Sequence, residues 1–225
     1  MLSLRTRQLD VFDYTERANP PILHRKESFV AEDYPGREKF ASLTRQDGAR
    51  TRFYVMTAWI CPFEGPVSPL KTLALVQEIA NWGVDEIAVA DTIGHADPLS
   101  VGRLIDLIAR RIDITRLAAH LHDTQALGLA NATAALQAGI RIFDSSVGGL
   151  GGCPFAPGAA GNVATEDMVH MLAEMGIETG IDLDALIECA QMAQEMLGRT
   201  LPGMVMKSGK ASELHAMDAA RMKVD

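Results

Sequence analysis

The chemistry this chain can do is concentrated in a few side chains. In "AAHLHDT", His120 and His122 stand two apart at the end of an apolar run, so in a strand both imidazoles project to one face. Two imidazoles on one face can hold a divalent metal; they can equally be satisfied by neighbouring hydrogen bonds. Asp123 follows directly, placed either to orient a ligand histidine through its second nitrogen or to cap the next helix. Asp91 ends "EIAVAD" and opens the turn "DTIGHADP", a position that suits a turn-capping aspartate as well as a site carboxylate.

A second group lies in "SSVGGLGGCPFAPGAAGN", residues 145 to 162. A loop so rich in glycine has little side-chain cover, so Cys153 reads as an exposed thiol able to give or take a proton or to attack a carbonyl. Gly148, Gly149, Gly151 and Gly152 permit left-handed backbone and close approach of the chain to a ligand, as a closing lid would need. Asn162, nine residues beyond the thiol, can offer a carboxamide oxygen to a hard cation or serve as the turn before a helix. Of the other two cysteines, Cys61 reads as a strand-end loop residue, and Cys189, mid-helix among apolar residues, as core.

The elements that must position these groups follow from periodicity. Short β-branched or aromatic runs at 52 to 59, 86 to 91, 116 to 122 and 141 to 147 alternate with amphipathic stretches, the pattern of parallel strands joined by crossover helices. Helices are predicted within 68 to 83, 97 to 111, 124 to 139, 164 to 176 and 182 to 197, the fourth with Thr165 as a candidate cap. The candidate residues fall at carboxyl ends of strands, where a barrel or an open α/β sheet builds its site. Residues 1 to 51 are polar, carry Pro20, Pro21 and Pro35, and show no sustained period, so the chain divides into this atypical, disorder-prone segment, a 52 to 210 unit and a 211 to 225 tail.

Bulk composition narrows the partners. The 225 residues are 48% hydrophobic, enough for one sizeable core, with a formal net charge of −8. Acids and bases are mixed and no basic run occurs, which argues against a nucleic-acid or anionic-membrane surface and for a small-molecule substrate. Three widely spaced cysteines without a CxxC pair suit a reducing compartment. With no bilayer-spanning apolar run and no signal-like start, a cytoplasmic location is expected.

Together, "CPFEGPVSP", "ADTIGHADP", "HLHDTQALGLANATAALQAGI" and "FDSSVGGLGGCPFAPGAAGNVATEDMVHMLAEMGIETGIDL" resemble the 3-hydroxy-3-methylglutaryl-CoA lyase family, metal-dependent enzymes built on a TIM barrel. The resemblance spans about residues 52 to 210. It implies an α/β fold in the form of a partial TIM (β/α)8 barrel, about the last four βα units plus C-terminal helices. It also implies cleavage of an acyl-CoA thioester, 3-hydroxy-3-methylglutaryl-CoA or a related 3-hydroxyacyl-CoA, to acetyl-CoA and acetoacetate. Carried onto this sequence, His120, His122 and Asn162 match ligands for Mg²⁺ or Mn²⁺, Cys153 the catalytic loop thiol, and Asp91 an acidic active-site residue; His120 is also expected in the chemistry.

Two departures qualify the match. The family's opening strand carries an "RDG"-type motif whose arginine steadies the enolate and whose aspartate is a metal ligand; "TRQDGAR" at 44 to 50 interrupts that pattern with Gln46. Ala88 stands where the lyase pattern has a serine. A half barrel exposes sheet edges and apolar faces, so a homo-oligomer or a partner chain is expected to cover it. Three readings follow: a lyase, inactive if truncation has removed its first-strand groups; a non-catalytic half barrel or partner subunit; and a condensing acyltransferase of the isopropylmalate synthase type, against which the "GGLGGCP" loop speaks.

Overall fold

The computed structural model describes residues 3–6, 50–152 and 160–210. Cys153 lies outside the described residues, as do 7–49 and the tail from 211. A five-stranded parallel sheet is formed by β1 (Ser3–Thr6), β2 (Arg52–Val55), β5 (Glu86–Asp91), β6 (Leu117–Leu121) and β7 (Ile142–Ser145), in the order β1-β7-β6-β5-β2. A short antiparallel pair, β3 (Ile60–Cys61) and β4 (Gly65–Pro66), follows β2, so Cys61 sits in a two-residue strand. The helices are α1 (Pro69–Asn81), α2 (Pro98–Ala109), α3 (Gly128–Gln137), α4 (Thr165–Glu174), α5 (Leu183–Leu197) and the single-turn α6 (Val205–Ser208).

The expected α/β class is borne out; each predicted strand and helix is present, β5 at its expected bounds and the others with trimmed ends. The first strand stops at Val55 instead of running to 59 because Thr57 turns left-handed at φ 49, its N–H donating to Thr92 Oγ1 at 2.7 Å. The strand β1 is not announced by the pattern of residues 1 to 51, which shows no strand period; its backbone lies parallel to β7, with Arg5 in register with Asp144.

The alternation of side chains gives the sheet two unlike faces. Ile87, Val89, Leu117, Ala119, Leu121 and Phe143 belong to one buried cluster, into which α1 inserts Leu73, Val76 and Ile79, and α2 inserts Val101, Leu104, Ile105 and Ile108. These helical spacings make one apolar stripe, and burying each such side chain is worth about 1.5–3 kcal/mol. Local chemistry fixes where the helices start: Pro69 and Pro98 open α1 and α2, and the Asp97 side chain caps α2 in a reciprocal box with Ser100. On the opposite phase the register aligns Tyr54 with Ala88 and Ala118, and Ala90 with His120 and Asp144. Small alanines there leave room beside the polar groups.

Two local expectations change. Thr165 is the first helical residue of α4, not its cap; fully buried, its hydroxyl donates to Ser145 Oγ at 3.0 Å. Of the two roles expected for Asp123, the one at the helix start is seen: its Oδ1 accepts from the N–H of Gly128, the first residue of α3, at 2.7 Å. Cys189 is exposed instead of core, because α5 turns Leu186 and Ala190 inward and the cysteine falls off that stripe.

Candidate active site

The carboxyl end of β6 carries the histidine pair. His120 is the fourth residue of the strand, and His122, just beyond it, bridges in antiparallel fashion to Asn162. The expected shared face is realised: the two Nε2 atoms lie 3.3 Å apart and the ring centroids 5.2 Å apart. At that spacing one N–H can donate to the other ring, or both lone pairs can face one cation.

Asn162 completes the cluster. Its Nδ2 donates to the Leu150 carbonyl at 2.9 Å, which fixes the amide's orientation, while its buried Oδ1 has no hydrogen-bond donor. An acceptor left in that state is costly unless something electropositive meets it. Leu150 approaches because the chain turns at Gly151, φ 105, where any Cβ would overlap Asn162 Nδ2. Burial, followed by the charge of His120, pushes the His122 pKa down to about 4, against weaker opposing influences from Thr92 and Asn162. The ring is therefore neutral at ordinary pH, the form that ligates metals.

Behind His120 lies a charged network that the sequence reading missed. Asp144 Oδ2 sits 3.4 Å from His120 Nδ1 and accepts the Tyr54 hydroxyl at 2.9 Å; its Oδ1 accepts from Arg52. Arg52 also donates through Nε to Glu86 at 2.8 Å, and Arg50 reaches the other Glu86 oxygen at 3.0 Å. The Tyr54 ring stands edge-on to His120 with centroids 5.7 Å apart. Burial alone would raise the Asp144 carboxyl, yet its hydrogen bond with His120 and the Arg52 charge hold it below its usual value. For Arg52 burial again works the other way, but Asp144, Tyr54 and Glu86 keep the guanidinium pKa raised. The available signal was period 2: charged residues at 52, 86 and 144 occupy one face of strands whose other face is mostly apolar.

Asp91 takes a different position. Its register partner is Leu121, one residue out of phase with His120, and it is 1% exposed. Its two oxygens accept from His95 N–H at 3.1 Å and Ala96 N–H at 3.0 Å, so they hold the β5–α2 turn. Burial raises its pKa despite those bonds. Among the described residues no group of three or more His, Cys, Asp or Glu is arranged to hold a metal ion; the candidate donors are two imidazoles and one carboxamide.

The fold and site define an α/β chain with a polar cluster at the carboxyl ends of parallel strands. A family model described as HMGL-like matches residues 37–193. The (R)-citramalyl-CoA lyase of Chloroflexus aurantiacus is 46% identical over 171 residues, covering 76% of this chain and 54% of that protein. The hydroxymethylglutaryl-CoA lyase of Bacillus subtilis is 41% identical over 162 residues, covering 72% and 54%. An HMG-CoA lyase of A. baumannii, solved in complex with coenzyme A and 3-methylmalate, is similar with a TM-score of 0.76 at 40% identity, covering 80% of this chain and 59% of that one. This chain belongs to the HMGL-like family, and it spans about half the length of these relatives.

Proposed function

We propose that this chain is a carbon–carbon lyase of the HMGL type, acting on 3-hydroxy-3-methylglutaryl-CoA or a closely related 3-hydroxyacyl-CoA. The observation that carries the reading is the approach of His120 and His122 beside the donor-less Oδ1 of Asn162. These three residues would hold a divalent cation, Mg²⁺ or Mn²⁺. When bound, such a cation polarises the substrate's oxygens and acidifies its tertiary hydroxyl.

The chain's own groups do the rest. His122, kept neutral by burial, offers its lone pair, and Leu150 aims the Asn162 carboxamide so that Oδ1 faces the cluster. Asp144 beside Nδ1 orients the His120 ring so that its Nε2 lone pair would serve the cation, and the acidified hydroxyl gives up its proton to solvent. Loss of that proton forms the keto group and breaks the adjacent carbon–carbon bond, and the electron pair passes to the thioester enolate. The enolate carbon then needs a proton, for which the Cys153 thiol is our candidate donor, and acetyl-CoA is released with a keto acid.

The Chloroflexus relative acts on a citramalyl thioester by its name, and Ala88 leaves the position beside Tyr54 and Ala118 small and apolar. Both substrates therefore belong in the assay. A second reading, a non-catalytic half barrel completed by another copy or a partner chain, is favoured by the donor set among the described residues, two imidazoles and a carboxamide without a carboxylate. Cleavage of 3-hydroxy-3-methylglutaryl-CoA and citramalyl-CoA with Mn²⁺ decides between them. Release of acetyl-CoA that is lost in both Cys153→Ala and His122→Ala supports the lyase, whereas folded protein that binds Mn²⁺ without turnover establishes the second reading.

A further inference from the structure

We propose that Glu166 is a positioning residue for the glycine turn that aims Asn162, and that the segment Leu201–Val205 braces this turn from outside the family-matched region. The match ends at residue 193, yet the turn at 147–151 rests on residues beyond it.

Glu166, in the first turn of α4, is fully buried. Its Oε2 accepts the Gly148 N–H at 3.0 Å, while Oε1 has no hydrogen-bond partner and lies so near Gly203 that a Cβ there would overlap it. The Gly203 N–H donates to the Gly148 carbonyl at 3.2 Å, so one glycine is held at both its amide and its carbonyl. Next to Glu166, the Asp167 carboxylate accepts Met204 N–H at 2.9 Å and Val205 N–H at 2.7 Å, fastening the same segment to α4.

Gly148 and Gly149 are both left-handed, φ 63 and φ 70; Cβ atoms on them would strike Leu201 and Pro202 respectively. The turn they make delivers the Leu150 carbonyl, which accepts from Asn162 Nδ2 and from the Ser146 hydroxyl. A buried carboxylate thus fixes Gly148, Gly148 sets Leu150, and Leu150 orients the carboxamide. A buried hydrogen bond with no water to replace it is expensive to lose, so the turn should loosen when Glu166 is removed or displaced.

Amide hydrogen exchange tests this in the full chain, independently of any activity. Glu166→Ala, and Gly203→Ala acting on the carboxylate from the other side, should speed exchange across 147–151 by about tenfold or more while amides of β5 and β6 keep wild-type rates. Glu166→Gln, which retains an acceptor oxygen, should restore protection, and Gly203→Ala should add nothing in the Glu166→Ala background. Unchanged exchange in the turn, equal loosening of β5 and β6, or additive effects would overturn the proposal. The consequence for turnover rests on the lyase reading: with an active wild type, kcat should fall in Glu166→Ala with KM unchanged, and an unchanged kcat would deny the turn its positioning role. If the wild type does not turn over, the lyase reading fails, and the exchange pattern still decides the brace.

Discussion

Arg52 shows what a single side chain contributes here. Its guanidinium lies between Glu86 and Asp144 with 4% of the side chain exposed, and removing it takes the buried cation from between two carboxylates, leaving Glu86 with Arg50 and Asp144 with Tyr54 and His120. Breaking a buried pair in this way costs about 3–5 kcal/mol; urea unfolding of Arg52→Ala should show a loss of that order. Glu166 makes a different prediction, in pH. Burial, the largest cause, lifts its pKa above the ordinary 4.5, so the folded chain holds this proton more tightly than the unfolded one. Its contribution is fully present below about pH 4.5 and is lost as pH rises through the raised folded value. Glu166→Gln should therefore gain stability relative to wild type as pH rises above about 4.5, measured as a growing difference in urea midpoint. A difference independent of pH would mean that the carboxyl has its ordinary pKa. At this scale the histidine pair was legible from spacing alone. The Arg52–Asp144 pair was not, because 92 residues separate its members and only the sheet brings them together.

Among the elements, α2 was the most readable. Asp97, Pro98 and Ser100 mark its start in sequence, and the structure shows Asp97 accepting from Leu99 N–H at 3.0 Å and Ser100 N–H at 3.1 Å. Asp97→Ala should cost about 1 kcal/mol, read as a lower denaturant midpoint with unchanged slope. Helix α5 was less readable: apolar residues occur on several of its sides, and only the packing selects the Leu186–Ala190 stripe and leaves Cys189, Met192 and Met196 exposed. The end of β2 was similarly hidden. A left-handed threonine is not a residue preference that composition reveals; the bond to Thr92, from the neighbouring strand's turn, holds it there.

For the whole molecule, the site joins groups from β2, β6, β7 and the segment before α4, so occupancy by a cation should stabilise the fold as one unit. At a Mn²⁺ concentration of about a hundred times the dissociation constant, binding confined to the folded state adds about 2.7 kcal/mol. Thermal unfolding with and without Mn²⁺ checks this, and His122→Ala should remove the increment. A wild-type transition insensitive to Mn²⁺ would count against the metal assignment. The α/β class, the strands β2, β5, β6 and β7 and the helices α1 to α5 were readable in the sequence, and so was the family resemblance. The register that places Asp144 behind His120 was not.

Sequence by itself determined what depends on a few neighbouring residues: strand and helix periods, and two imidazoles on one strand face. The tertiary structure alone decided which polar groups meet and which are starved of partners. It committed the Asp91 carboxylate to its turn, left Asn162 Oδ1 without a donor, and set Glu166 beneath a glycine turn eighteen residues earlier. The physical reason is range. Backbone propensity acts within a turn or two, whereas burial and hydrogen-bond satisfaction are settled by strands and helices that become neighbours only when the core closes.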